Sequence, residues 1–156
     1  MNLKPEAFHG DTLWWQIVQA GTHLFNGDSS RASKVAEQAR HRATLLVARD
    51  STSADAASRL ELANAYFGRG EEAGEAAQTS LAHLPVAKDA MVGALLIYRL
   101  ACGQALAGEK QAAVGTLETL LSIPFYVSPA WLRIDPNFAS LRGDSAFSRL
   151  TGQSAP

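Results

Sequence analysis

Residues 90–124 read AMVGALLIYRLACGQALAGEKQAAVGTLETLLSIP, and this stretch decides the fold. Apolar and small side chains recur in it at helical spacing. Leu96, Leu100, Gln104 and Ala107 form one row, Ile97, Ala101 and Ala105 the next, and Ala113, Val114, Leu117, Leu120 and Leu121 follow Gly108. The spacing predicts two helices closed by one tight turn. A glycine at 108 ends the first helix cheaply in the left-handed conformation, and Glu109 places negative charge at the positive N-terminal end of the second. Small side chains at Ala101 and Ala113 predict a close antiparallel approach of the two backbones.

Two more hairpins are expected on its N-terminal side. The first spans about residues 12–49: Asp11 or Thr12 caps a helix with Leu13, Ile17, Ala20 and Leu24 on one row and Trp14, Val18, Gly21 and Phe25 on the next, ending at Gly27. A second helix carries Ala32, Val35, Ala36, Ala39, Ala43 and Leu46. Another hairpin, about 52–84, runs through Leu60, Leu62, Ala63, Ala65, Tyr66 and Phe67 to Gly70, then through Ala73, Ala76, Ala77 and Leu81 to Pro85. The third occupies about 88–123. No segment alternates with period two, so no strand is expected. Residues 1–10 and 152–156 read as tails.

A chain of 156 residues with 47% apolar and 19% charged residues is one globular domain of ordinary size. Its net charge of -1 argues against nucleic acid, because phosphate contacts need a surplus of cations. The charge is unevenly placed. Residues 31–49 hold Arg31, Lys34, Arg40, Arg42 and Arg49 against Glu37, a balance of +4. Residues 50–75 hold six acids against Arg59 and Arg69, a balance of -4. The first reading is two solvated faces of neighbouring helices attracting each other; the second is a basic patch for an acidic partner. The longest apolar run, residues 90–98, is well short of the roughly 20 residues a membrane span needs, so no membrane partner is expected. One cysteine, Cys102, and no leader-like start make the cytoplasm the expected compartment.

The three hairpins form a repeat. An alanine precedes each turn glycine by seven residues, in the pairs Ala20 and Gly27, Ala63 and Gly70, Ala101 and Gly108, and an acidic residue follows each glycine. Ala32, Ala76 and Ala113 recur downstream. Periods of 43 and 38 residues, taken between these glycines, are typical of helical solenoid units.

These residues resemble tetratricopeptide repeats, most closely in the third unit through Leu100, Ala101, Gly108, Ala113, Leu117 and Pro124, and in the second through Leu62, Ala63, Tyr66 and Gly70. Both periods exceed the family's usual length of about 34. Residues 128–150, SPAWLRIDPNFASLRGDSAFSRL, resemble the tail that closes such arrays at the C-terminal ends of bacterial signalling proteins, including serine/threonine kinases and cyclase-like regulators. Ser128-Pro129 and Asp135-Pro136 each pair a cap with a first-turn proline, and Asp144 or Ser145 can cap a third short helix. Trp131, Leu132, Phe138, Leu141, Phe147 and Leu150 would cover the open end of the last hairpin. The resemblance implies an all-α, right-handed α-α superhelix of three hairpins over residues 11–151, with a C-terminal cap at 128–151. It also implies that the chain is the C-terminal part of a signalling protein.

Catalytic chemistry finds little support. Gly68-Arg69-Gly70-Glu71-Glu72-Ala73 fits a dinucleotide-binding pattern, but it follows a helix where that pattern requires a strand. The histidines, His9, His23, His41 and His83, lie 14, 18 and 42 residues apart, so none pair at helical spacing, and no metal or cofactor is expected. Cys102 reads as a core thiol. The resemblance implies instead a concave groove lined by the first helix of each hairpin. Its expected positions are Trp14, Ile17, Gly21, Leu24 and Phe25; Leu60, Asn64 and Phe67; and Leu95, Tyr98, Cys102 and Ala105, with Arg99 beside them. The expected partner is a protein or peptide, with a small-molecule sensor as the alternative. A further expectation is a homodimer through the first helix, where Trp14, Trp15 and Phe25 form an apolar patch with no upstream helix to cover it; the alternative is that residues 1–10 fold back, with Leu3 and Phe8 covering that helix.

Overall fold

The structure, a computed structural model, describes residues 4–152. Side-chain acceptors set where the helices begin. Asp11 Oδ1 accepts from Trp14 N at 2.9 Å, Asp28 from Arg31 N, Ser53 from Ala56 N, and Asp89 from Met91 N and Val92 N. Each bond satisfies first-turn donors that a helix leaves unpaired. The helices are α1 (Thr12–Phe25), α2 (Ser29–Arg49), α3 (Ala54–Phe67), α4 (Gly70–His83), α5 (Ala90–Leu106) and α6 (Lys110–Leu121). Ser128, Asp135 and Asp144 cap the short α7 (Pro129–Ile134), the 3-10 turn Pro136–Leu141 and α8 (Ser145–Leu150), where the sequence places them. Among the described residues the regular structure is all helical, with no strand.

Each hairpin packs within itself and then on the next, so that α1, α3 and α5 lie in one row and Pro136–Leu141 continues it beyond α5. α2 packs as fully on α3 as on its own partner α1. Four small side chains allow this: Ala32, Ala36, Ala39 and Ala43 recur at helical spacing and are all buried. The far end is closed by Leu132, Phe138, Leu141 and Phe147, each fully buried, with α8 seated on α6. Trp131 departs from the expected closing set. It is 47% exposed, and its indole Nε1 donates to Asp135 Oδ2 at 3.3 Å, so the polar edge and not the ring is what the tail uses. At the other end, the 3-10 turn Pro5–Phe8 packs on α1 within the stretch expected as a tail. The remainder of the two expected tails, residues 1–3 and 153–156, lies outside the described residues.

One register requires correction. Gly27, Gly68 and Gly108 carry the left-handed φ values of 79°, 87° and 82°. Gly70 does not; it is the first residue of α4, and a Cβ on it would stand 2.8 Å from Ala107 Cβ of the neighbouring hairpin. The second turn glycine is therefore Gly68, and the second repeat moves by two residues. Gly27 to Gly68 is then 41 residues and Gly68 to Gly108 is 40, more even than 43 and 38. The small residue five positions after each turn becomes Ala32, Ala73 and Ala113, all buried. Seven positions before the turn stand Ala20, Glu61 and Ala101, so a carboxylate occupies in the second unit the place that alanine holds in the others. Glu61 is 1% exposed.

Candidate functional site

Two residues along an α-helix rotate a side chain by about 200°. The corrected register accordingly divides the expected groove. Trp14, Ile17 and Val18 of α1, Leu62 and Tyr66 of α3, and Leu95, Tyr98, Arg99 and Cys102 of α5 line one pocket of about 250 Å³, joined by Tyr126 and Asn137. Leu60 and Asn64 face the other way, into a separate cleft of about 310 Å³ between α2, α3 and α4. Phe67 sits on that side too, with the guanidinium groups of Arg40 and Arg69 at 5.7 and 5.6 Å from its ring centre. Counted back from Gly68, Leu62 takes the place expected for Asn64, in line with Gly21 and Cys102, and Tyr66 falls in line with Phe25.

The remaining expected residues lie along the row or at its margins. A Cβ on Gly21 would stand 3.1 Å from the Tyr66 ring, so the absent side chain is what admits the tyrosine. Phe25 meets Tyr66 edge-on, with centroids 6.1 Å apart, and is 38% exposed. Leu24 is half-buried and Ala105 is buried, its carbonyl accepting from Ser140 Oγ at 3.1 Å. Trp14 is less available for self-association than the sequence suggests. It is only half-exposed, and Arg99 and Arg59 stand over its ring at 4.9 and 5.9 Å.

A polar chain holds that cation in place. Arg99 Nη1 donates to Ser58 Oγ at 2.9 Å and lies 3.8 Å from Asp55 Oδ1. Arg59 Nε pairs with Asp55 Oδ2 at 2.7 Å, and Arg59 Nη1 with the cap residue Asp11. Burial lowers the Arg99 pKa, partly offset by Asp55 and Glu61. For Asp11 burial works upward, but the Trp14 amide and Arg59 outweigh it and hold the carboxyl below its ordinary value. This ties the start of α1 to α3 and α5 around the Trp14 ring.

The C-terminal segment closes the opposite wall. Tyr98 donates its hydroxyl to Asp135, and Tyr66 donates to Asn137 Oδ1 at 3.0 Å. Asp135 Oδ1 also accepts from the Asn137 amide and side chain, both at 2.9 Å. Burial first, then Cys102 and Asp135, push both phenols up, so they remain neutral donors. The Cys102 thiol is pushed well above its usual value by burial and stays protonated, a poor nucleophile. The pocket thus offers aromatic and aliphatic walls, one cation and two anchored phenols. Among the described residues no group of three or more His, Cys, Asp or Glu is placed to hold a metal.

Tyr126 and Asn137 belong to no repeat position and left no signal in the periodicity. Leu62 and Tyr66 could have been found by demanding even spacing of the turn glycines. Comparison with protein-family profiles, with curated proteins and with solved structures returned no match.

Proposed function

We propose that the chain is a non-catalytic interaction module, a right-handed array of three tetratricopeptide-like hairpins that binds a peptide segment of a partner protein along the row α1, α3, α5. The observation that carries this reading is the aromatic pocket, built by first helices of all three hairpins and by no second helix. Periods of 41 and 40 residues, with alanine five places after each turn glycine, support the repeat architecture. The pocket's size supports a peptide over a free metabolite. Sites for small molecules run to about 300–1,000 Å³, whereas about 250 Å³ holds one bulky side chain. An apolar or aromatic anchor would fill it, while Arg99 meets an acceptor beside that anchor.

The alternative, a small-molecule sensor, draws on the wall that Tyr126 and Asn137 add, which makes the pocket more enclosed than an open groove. The resemblance of residues 128–150 supports a place at the C-terminal end of a bacterial signalling protein. The single cysteine supports a reducing compartment such as the cytoplasm. No helix among the described residues is long and apolar enough to cross a membrane.

Selection from a random-peptide display library tests the main reading. Enriched peptides should share one bulky apolar residue and lose affinity for Trp14→Ala. A parallel thermal-shift screen with a metabolite library separates the alternative, because a ligand that prefers the folded state raises the melting temperature. Peptides that bind Trp14→Ala as well as the unmodified chain would remove the pocket from the proposal.

A further inference from the structure

The outer side of the first hairpin carries a second surface. Gln38, Arg42, Leu45 and Arg49 of α2 lie on one stripe at i, i+4, i+7 and i+11, beside Leu13 and Gln16 of α1. They line two adjoining clefts of about 740 and 280 Å³ that share Arg42 and Leu45. Leu45 is 53% exposed and Leu46 beside it 38%. The 3-10 turn Pro5–Phe8 precedes α1 and packs on it, but none of its residues lines either cleft.

The charges here are uncommitted. Among the described residues Lys34, Arg42 and Arg49 make no ion pair, and the acids of residues 50–75 that do pair use Arg59, Arg69 and Arg99. Among the described residues no ion pair joins the basic stretch to the acidic one, although Arg40 lines the cleft between α2, α3 and α4 together with Glu72 and Glu75. Only Glu37 brings negative charge to the larger cleft. At its floor Gln16 is 4% exposed; its Nε2 donates to Gln38 Oε1 at 3.2 Å, while its Oε1 is buried and accepts nothing. A buried acceptor left unmade is costly and calls for a donor.

We propose that this face docks an amphipathic helix with an acidic flank, supplied by a partner protein. Leucine-like residues of that helix would seat against Leu13 and Leu45, carboxylates would stand opposite Arg42 and Arg49, and a polar side chain would donate to Gln16 Oε1. The charges discriminate among occupants. A second copy meeting this face by a twofold axis would oppose Arg42 and Arg49 to their own copies. A phosphate backbone would leave Leu45 and Leu46 uncovered, and a flat bilayer cannot reach the Gln16 carbonyl at the cleft floor.

The test uses a stapled helical peptide of about 15 residues, long enough to hold its shape, with leucine at i, i+3 and i+7 and glutamate on the flanks. Fluorescence anisotropy with the full chain should show binding that weakens with salt and falls about tenfold or more when lysine replaces glutamate, or in Arg42→Glu/Arg49→Glu. Circular dichroism checks that the variants fold, and Leu45→Asp should reduce binding without altering charge on the arginines. Absence of binding by the glutamate peptide overturns the proposal, as does equal binding of the lysine peptide. So does tighter, Arg42-dependent binding to phosphatidylserine vesicles or a single-stranded RNA oligonucleotide. Sedimentation showing a dimer broken by Leu45→Asp would assign the face to a second copy instead.

Discussion

Glu61 Oε1 lies 3.2 Å from the point where a Cβ on Gly103 would stand. The missing side chain of one helix is what leaves room for the carboxyl of the other, at a level where the neighbouring repeats carry alanine. Neither oxygen of Glu61 accepts a hydrogen bond, and the space beside it, about 10 Å³, is on the scale of a single water. Arg99 of α5 is the cation near it, and Glu109 at the start of α6 lines the same small void.

Burial raises the Glu61 carboxyl well above its ordinary value of 4.5, with Arg99 pulling back. A carboxyl that holds its proton more tightly folded than unfolded contributes stability fully below the ordinary value, and that contribution is lost as pH rises through the folded value. Glu61→Gln keeps the shape and removes the titration. The difference in stability between this variant and the unmodified chain should therefore grow as pH rises above 4.5, by about 1.4 kcal/mol per pH unit within the window. Urea unfolding at a series of pH values measures it; a difference independent of pH would exclude the linkage.

The register of the second repeat is ambiguous in the sequence for a physical reason. The string Gly68-Arg69-Gly70 offers two glycines, and the acid after Gly70 together with Ala63 points to Gly70, whereas the turn is at Gly68. Backbone conformation separates them, since one has a left-handed φ and the other a close neighbour, and composition does not express either property. Helix starts were legible because caps are local: Asp11, Ser128, Asp135 and Asp144 act within three residues. The site was half legible. The α1 and α5 residues Trp14, Ile17, Tyr98 and Arg99 came together, but the α3 contribution was rotated away and the tail's wall depends on contacts more than 30 residues apart, such as Tyr98 with Asp135.

Ala101 is fully buried where α5 packs on α6, as is Ala113 opposite it in the repeat pattern. Ala101→Leu should overpack this contact and cost about 1–3 kcal/mol. Differential scanning calorimetry is sufficient to see it. An unchanged melting temperature would mean that the hairpin has slack the burial does not suggest.

Phe138 anchors the closing segment: it is fully buried and meets Tyr98 edge-on at 6.1 Å and Phe147 at 6.4 Å. Phe138→Ala should cost about 3–5 kcal/mol. Truncation after Pro124 removes Leu132, Phe138, Leu141 and Phe147 together and should expose the end of the array to aggregation. Light scattering checks the second outcome, and a truncated chain that stays monomeric and equally stable would show that the tail closes nothing.

The turn assignment itself can be tested by two glycines that should fail for different reasons. Gly68 faces open space but has a φ of 87°, so Gly68→Ala should cost about 1–2 kcal/mol in backbone strain, and Gly68→Asn, which tolerates that conformation, should recover much of it. Gly70 has an ordinary helical backbone but a Cβ there would stand 2.8 Å from Ala107 Cβ. Gly70→Ala should then cost about 1–3 kcal/mol through overpacking, Gly70→Asn should be worse, and Ala107→Gly should relieve the loss in a double-mutant cycle. Asparagine rescue is thus expected at 68 alone and glycine rescue from the neighbouring hairpin at 70 alone. The opposite pattern in chemical denaturation would return the turn to Gly70, and with it Leu60 and Phe67 to the groove.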